Sequence, residues 1–263
     1  MTGKLAIEGV GRVFPAVRGG EPVRALEPVS LAVAENDFIT VLGPSGCGKS
    51  TLLRIVAGLD RPSEGRVLLD GRAVTAPGPD RGMVFQSYTL FPWLTVAENI
   101  AFGLVERGVP EKQRQEIVAA YVERVGLGGF ERHYPKQLSG GMQQRTAIAR
   151  ALANDPEILL LDEPFGALDN QTRGLMQELL LGIWERDRKT VLFVTHDIEE
   201  AIFVASRVVV MTARPGRIKA EVAVDLPHPR HYTMKTSPEF SELKARLTEE
   251  IRAEAIKVVA AGD

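Results

Sequence analysis

Continuous apolar runs alternate with amphipathic stretches along most of the chain. Phe38 to Leu42, Ile158 to Leu161, Val191 to Thr195 and Val208 to Thr212 are apolar at nearly every position and rich in Val, Ile and Leu, as strands buried on both faces are. Leu5 to Gly9, Val29 to Val33, Arg66 to Leu69 and Met83 to Phe85 read as further strands. Helical periodicity predicts helices at Lys49 to Ala57, Val96 to Leu104, Glu111 to Val125, Gly140 to Ala153, Thr172 to Glu185 and Ile198 to Ala205. Such alternation predicts a mostly parallel sheet covered by helices. Between about Tyr88 and Asn154 the pattern gives helices and no strand, so this stretch reads as a helical insert.

The tail differs in character. Asp225-Leu-Pro-His-Pro-Arg-His231 reads as an extended linker, because each proline disfavours helix in the residue before it. A last helix follows, with Ser237 as N-cap and Pro238 at its first position. Phe240, Leu243, Leu247, Ile251, Ala255 and Val258 fall on one face, which is expected to pack on the chain's own core.

Composition narrows the class. The 263 residues are 44% hydrophobic and 25% charged, ordinary globular usage. No apolar run approaches the roughly 18 residues of a membrane helix. The N-terminal MTGKLAIEGVGR has no apolar signal core, so the expectation is a protein that neither spans a membrane nor is exported. The one cysteine, Cys47, excludes an internal disulfide and fits a reducing compartment. A net charge of −2 without a basic tract argues against nucleic acid as a partner.

Chemistry enters at Gly43-Pro44-Ser45-Gly46-Cys47-Gly48-Lys49-Ser50, which fits G-x-x-x-x-G-K-[ST] between a predicted strand and a predicted helix. Glycines let such a backbone wrap closely around phosphates, and the helix N-terminus favours negative charge. Lys49 is expected on the β and γ phosphates, the Ser50 hydroxyl on Mg²⁺ and Thr51 on the α phosphate. The strand Ile158 to Leu161 ends in Asp162 and Glu163: the first is a candidate Mg²⁺ ligand, the second a candidate base for the attacking water. Gln86 and His196 both follow strands, where α/β sites form. Asp197 is positioned to cap the next helix, which releases His196 to reach a phosphate.

Gln137-Leu-Ser-Gly-Gly-Met-Gln-Gln-Arg145 sets a puzzle. Ser139 is a good N-cap, yet Gly140 and Gly141 occupy the first turn, where each glycine costs about 1 kcal/mol relative to Ala.

Taken together these residues resemble the ATPase subunits of ABC transporters, from about Leu5 to Leu226 and with every motif in the family's order. GPSGCGKS is similar to that family's phosphate loop, Gln86 to its glutamine loop, LSGGMQ to its signature, LLLLDE to its magnesium strand, Ala167-Leu168-Asp169 to its D-loop and His196 to its switch histidine. The resemblance implies an α/β P-loop NTPase (RecA-like) core with an antiparallel β N-terminal subdomain and an inserted α-helical subdomain. Residues 1–87 and 155–225 would form the nucleotide-binding core, 88–154 the helical subdomain and 226–263 a C-terminal linker and helix. It further implies ATP and Mg²⁺ as cofactors, Phe14 stacked on adenine, and a catalytic group of Glu163, His196, Gln86 and Lys49. Gly43 to Thr51, Ser139, Gly140, Gly141 and Asp169 would contact nucleotide, and Ser50, Gln86 and Asp162 would serve the metal. The glycine puzzle then has an answer: two subunits face head to tail, and the signature helix of one points at the γ phosphate held by the other, where the absence of side chains permits close approach.

The segment Tyr88-Thr-Leu-Phe-Pro-Trp-Leu-Thr-Val96 resembles the importer branch for nitrate, sulfonates and taurine. Partners implied are a second copy, two transmembrane permease subunits and, indirectly, an exported substrate-binding protein, with the chain peripheral on the cytoplasmic face of the membrane. Phe91, Trp93 and Leu94 are candidates for the permease contact. The competing class is a soluble ABC-type ATPase acting on nucleic acid or ribosomes; its usual long coiled coil or tandem nucleotide units are not in this sequence. A P-loop small-molecule kinase would leave LSGGMQ and His196 unexplained.

Overall fold

The computed structural model describes residues 3–16, 20–87 and 89–260, the side chains of 258–260 excepted. Tyr88, which opens the importer-like segment, and the side chain of Val258 lie outside the described residues. In chain order the elements are β1 (Leu5–Phe14), β2 (Val23–Val33), β3 (Phe38–Leu42), α1 (Lys49–Val56), β4 (Glu64–Leu69), β5 (Arg72–Ala73) and β6 (Arg81–Val84). Helices α2 (Val96–Glu106), α3 (Glu111–Arg124) and α4 (Gly140–Ala153) follow. The chain continues with β7 (Ile158–Asp162), α5 (Asn170–Asp187), β8 (Thr190–Thr195), α6 (Ile198–Val204), β9 (Arg207–Met211), β10 (Ile218–Ala223) and α7 (Pro238–Ala260). Two compact units result, Met1–Gly78 with Lys189–Asp263, and Pro79–Arg188. Among the described residues no helix is long and apolar enough to cross a membrane.

The first unit holds two sheets. An antiparallel one runs β2-β1-β4-β5, with bulges along β1. In the other, β3 lies between β8 and β9, parallel to both, and β10 closes one edge antiparallel to β9. Every residue of β3 and β8 is buried, as their largely apolar sequence requires. Leu42 is paired with Thr195 on one side and Val210 on the other, so the segments after β3, β8 and β9 leave one sheet edge together. Open α/β sheets build their sites at that edge.

In the second unit β6 and β7 pair in parallel, Val84 opposite Leu161, so Gln86 and Asp162 also emerge at one edge. Helix α2 starts in a capping box: the Thr95 hydroxyl accepts from Glu98 N–H, and the Glu98 carboxylate accepts from Thr95 N–H. Helices α2, α3 and α4 pack against one another, and α4 also packs on α5 and β6.

Most expected elements are present with ends moved by a residue or two. Helix α5 starts earlier than Thr172 because Asp169 caps it, accepting the N–H groups of Gln171 at 3.1 Å and Thr172 at 3.0 Å. The edge strand β10 escaped the pattern because only Val222 of its six residues is buried. In α7 the Ser237 cap forms, Phe240 N–H donating to its hydroxyl at 3.2 Å, and Phe240 and Leu247 are fully buried. At its far end the expected stripe is corrected: Glu254 is the buried residue and Ala255 is exposed.

Candidate nucleotide site

The loop between β3 and α1 is shaped by its glycines. Gly48 is left-handed, at φ 99°, and a β-carbon there would lie 2.6 Å from Leu26 Cδ2 and 2.9 Å from the Ala25 carbonyl oxygen. No other residue type meets both demands. Lys49 is 4% exposed, and its ammonium donates to the carbonyls of Gly43 at 2.8 Å and Pro44 at 2.9 Å, closing the loop on itself. Ser45 and Gly46 are exposed and Cys47 is buried. Ser50 and Thr51 stand in the first turn of α1, which carries no acidic residue, and no side chain caps it. A positive helix end with an adjacent ammonium is an anion-accepting arrangement. Burial of Cys47 means that a thiol reagent reaches its sulfur only when the loop opens.

His196 follows the last residue of β8 and is exposed. The turn around it is tied by its neighbours: Asp197 N–H donates to the Thr195 hydroxyl at 3.0 Å, and Asp197 accepts Glu200 N–H at 3.0 Å as the cap of α6. The capping duty thus falls to Asp197, as its sequence position indicates. Phe14 ends β1, half-buried beneath the Arg12 guanidinium at 4.6 Å; neither it nor Val13 is a core residue.

In the second unit Asp162 is the last residue of β7 and only 8% exposed. Glu163 follows at φ 43°, a left-handed conformation that costs a non-glycine residue about 1 kcal/mol or more and persists only where the surroundings impose it. The Gln86 amide donates to its carboxylate at 3.5 Å, the long limit of a hydrogen bond, so these two residues are brought together. Asp169 caps α5, and hydrogen bonds from Thr172, then Gln171, hold its carboxyl below the usual range.

Ser139 caps α4, its hydroxyl accepting Met142 N–H at 3.3 Å, and is exposed. Having accepted one bond, that hydroxyl retains a proton to donate. Gly141 is buried, and a β-carbon on it would sit 2.8 Å from Thr172 Cγ2 on α5. Its lack of a side chain therefore already serves packing between α4 and α5, a cause that no local pattern discloses. Met142 is half-buried.

A strand, a glycine-shaped loop closed by a buried lysine, and a helix with an uncapped N-terminus define a P-loop nucleotide-binding protein. The family described as "ABC transporter" matches residues 26–166. An uncharacterized ABC transporter ATP-binding protein of Methanocaldococcus jannaschii is 56% identical over 97% of this chain and 93% of its own. The aliphatic sulfonates import ATP-binding protein SsuB of Bacillus cereus is 49% identical over 94% of this chain and 95% of its own. The nitrate import ATP-binding protein NrtD of a Synechocystis strain is 48% identical over 95% and 98%. A solved dimeric ATP-binding cassette in a post-hydrolysis state, bound to ADP and Pi, superposes with a TM-score of 0.74 at 35% identity, covering 85% of this chain and 100% of its own. The chain belongs to the ABC transporter family, and it is an ATP-binding, ATP-hydrolysing member of it.

Proposed function

We propose that this ATPase energises import of a small anion, an organic sulfonate such as taurine or an alkanesulfonate, or nitrate, through a separate permease. The observation that carries the reading is identity of 48–49% with sulfonate and nitrate import subunits along nearly the whole chain. The protein works as a homodimer of chains, peripheral on the cytoplasmic face of the membrane, beside two permease subunits and, through them, a substrate-binding protein. A dimeric cassette among its structural relatives supports the pairing.

Residue roles follow from chemistry. Lys49 and the N–H groups of residues 43–51 hold phosphate, Phe14 stacks on adenine, and His196 steadies the γ phosphate. Ser50, Asp162 and the Gln86 amide oxygen are hard oxygen donors suited to Mg²⁺. Among the described residues no cluster of three or more His, Cys, Asp or Glu side chains forms a metal cage, which fits an ion that shares its shell with phosphate oxygens. Mg²⁺ supplies charge neutralisation on the transferring group. Glu163 orients and deprotonates the water. Ser139, Gly140, Gly141 and Asp169 of one copy serve the nucleotide held by the other.

The permease is proposed to dock in a cleft of about 640 Å³ within the second unit, lined by Phe85, Phe91, Phe102, Arg107 and Arg150. Phe91 is held there between the Phe102 ring at 4.3 Å and the Arg150 guanidinium at 5.4 Å. Trp93, 69% exposed and 5.7 Å from Phe91, is the apolar group free to meet a partner. Phe85 adjoins Gln86, whose amide reaches Glu163, and this is the route proposed between the cleft and the catalytic carboxylate. The functional division into 1–87 with 155–225, 88–154 and 226–263 is proposed on this basis; the packing units divide after Gly78 and Arg188.

The test is purification of the full chain from detergent-solubilised membranes, followed by ATP-driven uptake of radiolabelled taurine, methanesulfonate and nitrate into vesicles. Two co-purifying multi-span subunits and uptake of one solute support the proposal. Sedimentation with ribosomes or nucleic acid, without membrane partners, overturns it.

A further inference from the structure

The turn between β9 and β10 touches the phosphate loop at one end and the C-terminal helix at the other. At the α7 end, Glu254 is 1% exposed and one carboxylate oxygen accepts the Ala213 N–H at 3.0 Å. Its other oxygen takes Lys257 at 2.7 Å and Lys219 at 3.1 Å. Within the turn, the Thr212 hydroxyl donates to the Pro215 carbonyl at 3.1 Å and accepts Arg217 N–H at 3.1 Å, while Thr212 N–H donates to the Arg217 carbonyl at 3.0 Å. At the nucleotide end, Arg214 Nε donates to the Gly46 carbonyl at 3.2 Å. The Gly216 backbone presses on the loop so closely that a β-carbon there would lie 1.9 Å from the Cys47 carbonyl oxygen. Gly216 is in turn pinned to β2, donating to the Ala25 carbonyl at 2.9 Å and accepting Glu27 N–H at 2.9 Å. Ala25 and Leu26 form the same wall that faces Gly48.

We infer that this turn is a brace: Glu254 on α7 fixes it, and through Arg214 and Gly216 it fixes the phosphate loop, which makes Glu254 and Arg214 positioning residues for ATP binding. The inference rests on the reading of residues 43–51 as the phosphate site. A loop with glycines at 43, 46 and 48 has wide backbone freedom by itself, whereas N–H groups that receive phosphate must be held in place beforehand. The C-terminal helix is thus part of the nucleotide machinery, although Glu254 lies 204 positions beyond Ser50 along the chain.

The full-length chain is tested as Arg214→Ala, Arg214→Lys, Glu254→Gln and Arg214→Ala/Glu254→Gln, with Lys49→Ala as reference. Affinity for a fluorescent ATP analogue, kcat, KM and thermal unfolding are read for each. Arg214 is exposed, so its truncation isolates positioning from folding. The expected result is a rise of about 3- to 10-fold in Kd and KM for Arg214→Ala with little change in melting, partial recovery in Arg214→Lys, and a double variant no weaker than its worse parent. ATP affinity unchanged in Arg214→Ala while Lys49→Ala loses binding overturns the brace and leaves the phosphate reading intact. Independent, multiplicative effects in the double variant also overturn it. Unchanged affinity in Lys49→Ala overturns the phosphate reading itself.

Discussion

The entries to α1 and α4 are both glycine-rich helix starts, and they are built for different ends. At α1 the glycine before the helix is left-handed and walled in by Leu26, no side chain caps the first turn, and the neighbouring lysine is buried. At α4 an exposed serine caps the helix, and the inner glycine admits Thr172 of α5. One start is a cradle finished within its own unit; the other presents a capped, outward-facing turn. The glycines they share hide a backbone requirement in one case and a packing requirement in the other.

The largest expected effect separates chemistry from both. Glu163→Gln lowers turnover by about 10²- to 10⁴-fold while ATP binding persists; a single-turnover assay beside a filter-binding assay reads the two, and wild-type turnover removes Glu163 as the base. Gly48→Ala tests the cradle. Left-handed strain and the overlap with Leu26 and Ala25 destabilise it by about 2–4 kcal/mol, visible in urea unfolding.

The brace behind that cradle carries a pH signature. Burial alone would raise the Glu254 pKa, but Lys257, Ala213 N–H and Lys219 together bring it from 4.5 down to about 2. A carboxylate with a depressed folded pKa contributes stability above its unfolded value, and that contribution is lost as pH falls through the folded one. The loss amounts to about 3 kcal/mol between roughly pH 5 and 2. Urea midpoints of Glu254→Gln should therefore fall less steeply with acid than those of the unaltered chain.

Smaller effects probe α4. Gly141→Ala forces Thr172 aside and costs about 1–2 kcal/mol, and Thr172→Ser, which deletes the Cγ2 methyl, restores most of it. Absence of rescue would separate Gly141 from that packing. Ser139→Ala removes the cap for about 1 kcal/mol.

What the sequence discloses divides along the same line. The strand, loop and helix around Lys49 are consecutive, so period and motif read them directly, and Asp162 and Glu163, which end and follow β7, are legible for the same reason. Gly141 against Thr172, Gly216 against Cys47 and Glu254 beneath the β9–β10 turn are packing partners distant in sequence, and no local pattern encodes them. Ala255 satisfies the apolar period of α7 better than Glu254, yet a carboxylate with three donors is the residue that the fold buries. Edge strand β10, half exposed, lacks the apolar alternation that marks a strand.

The central claim is that Lys49 of one copy and Ser139 of another act on the same triphosphate. Equal amounts of Lys49→Ala chain and of Ser139→Phe chain, each inactive alone, are mixed with ATP and Mg²⁺ and phosphate release is followed. Random pairing makes half of the dimers mixed, each with one intact combination, so turnover should return to about a quarter of that of the unaltered protein. Turnover that stays at the sum of the two separate variants contradicts the account.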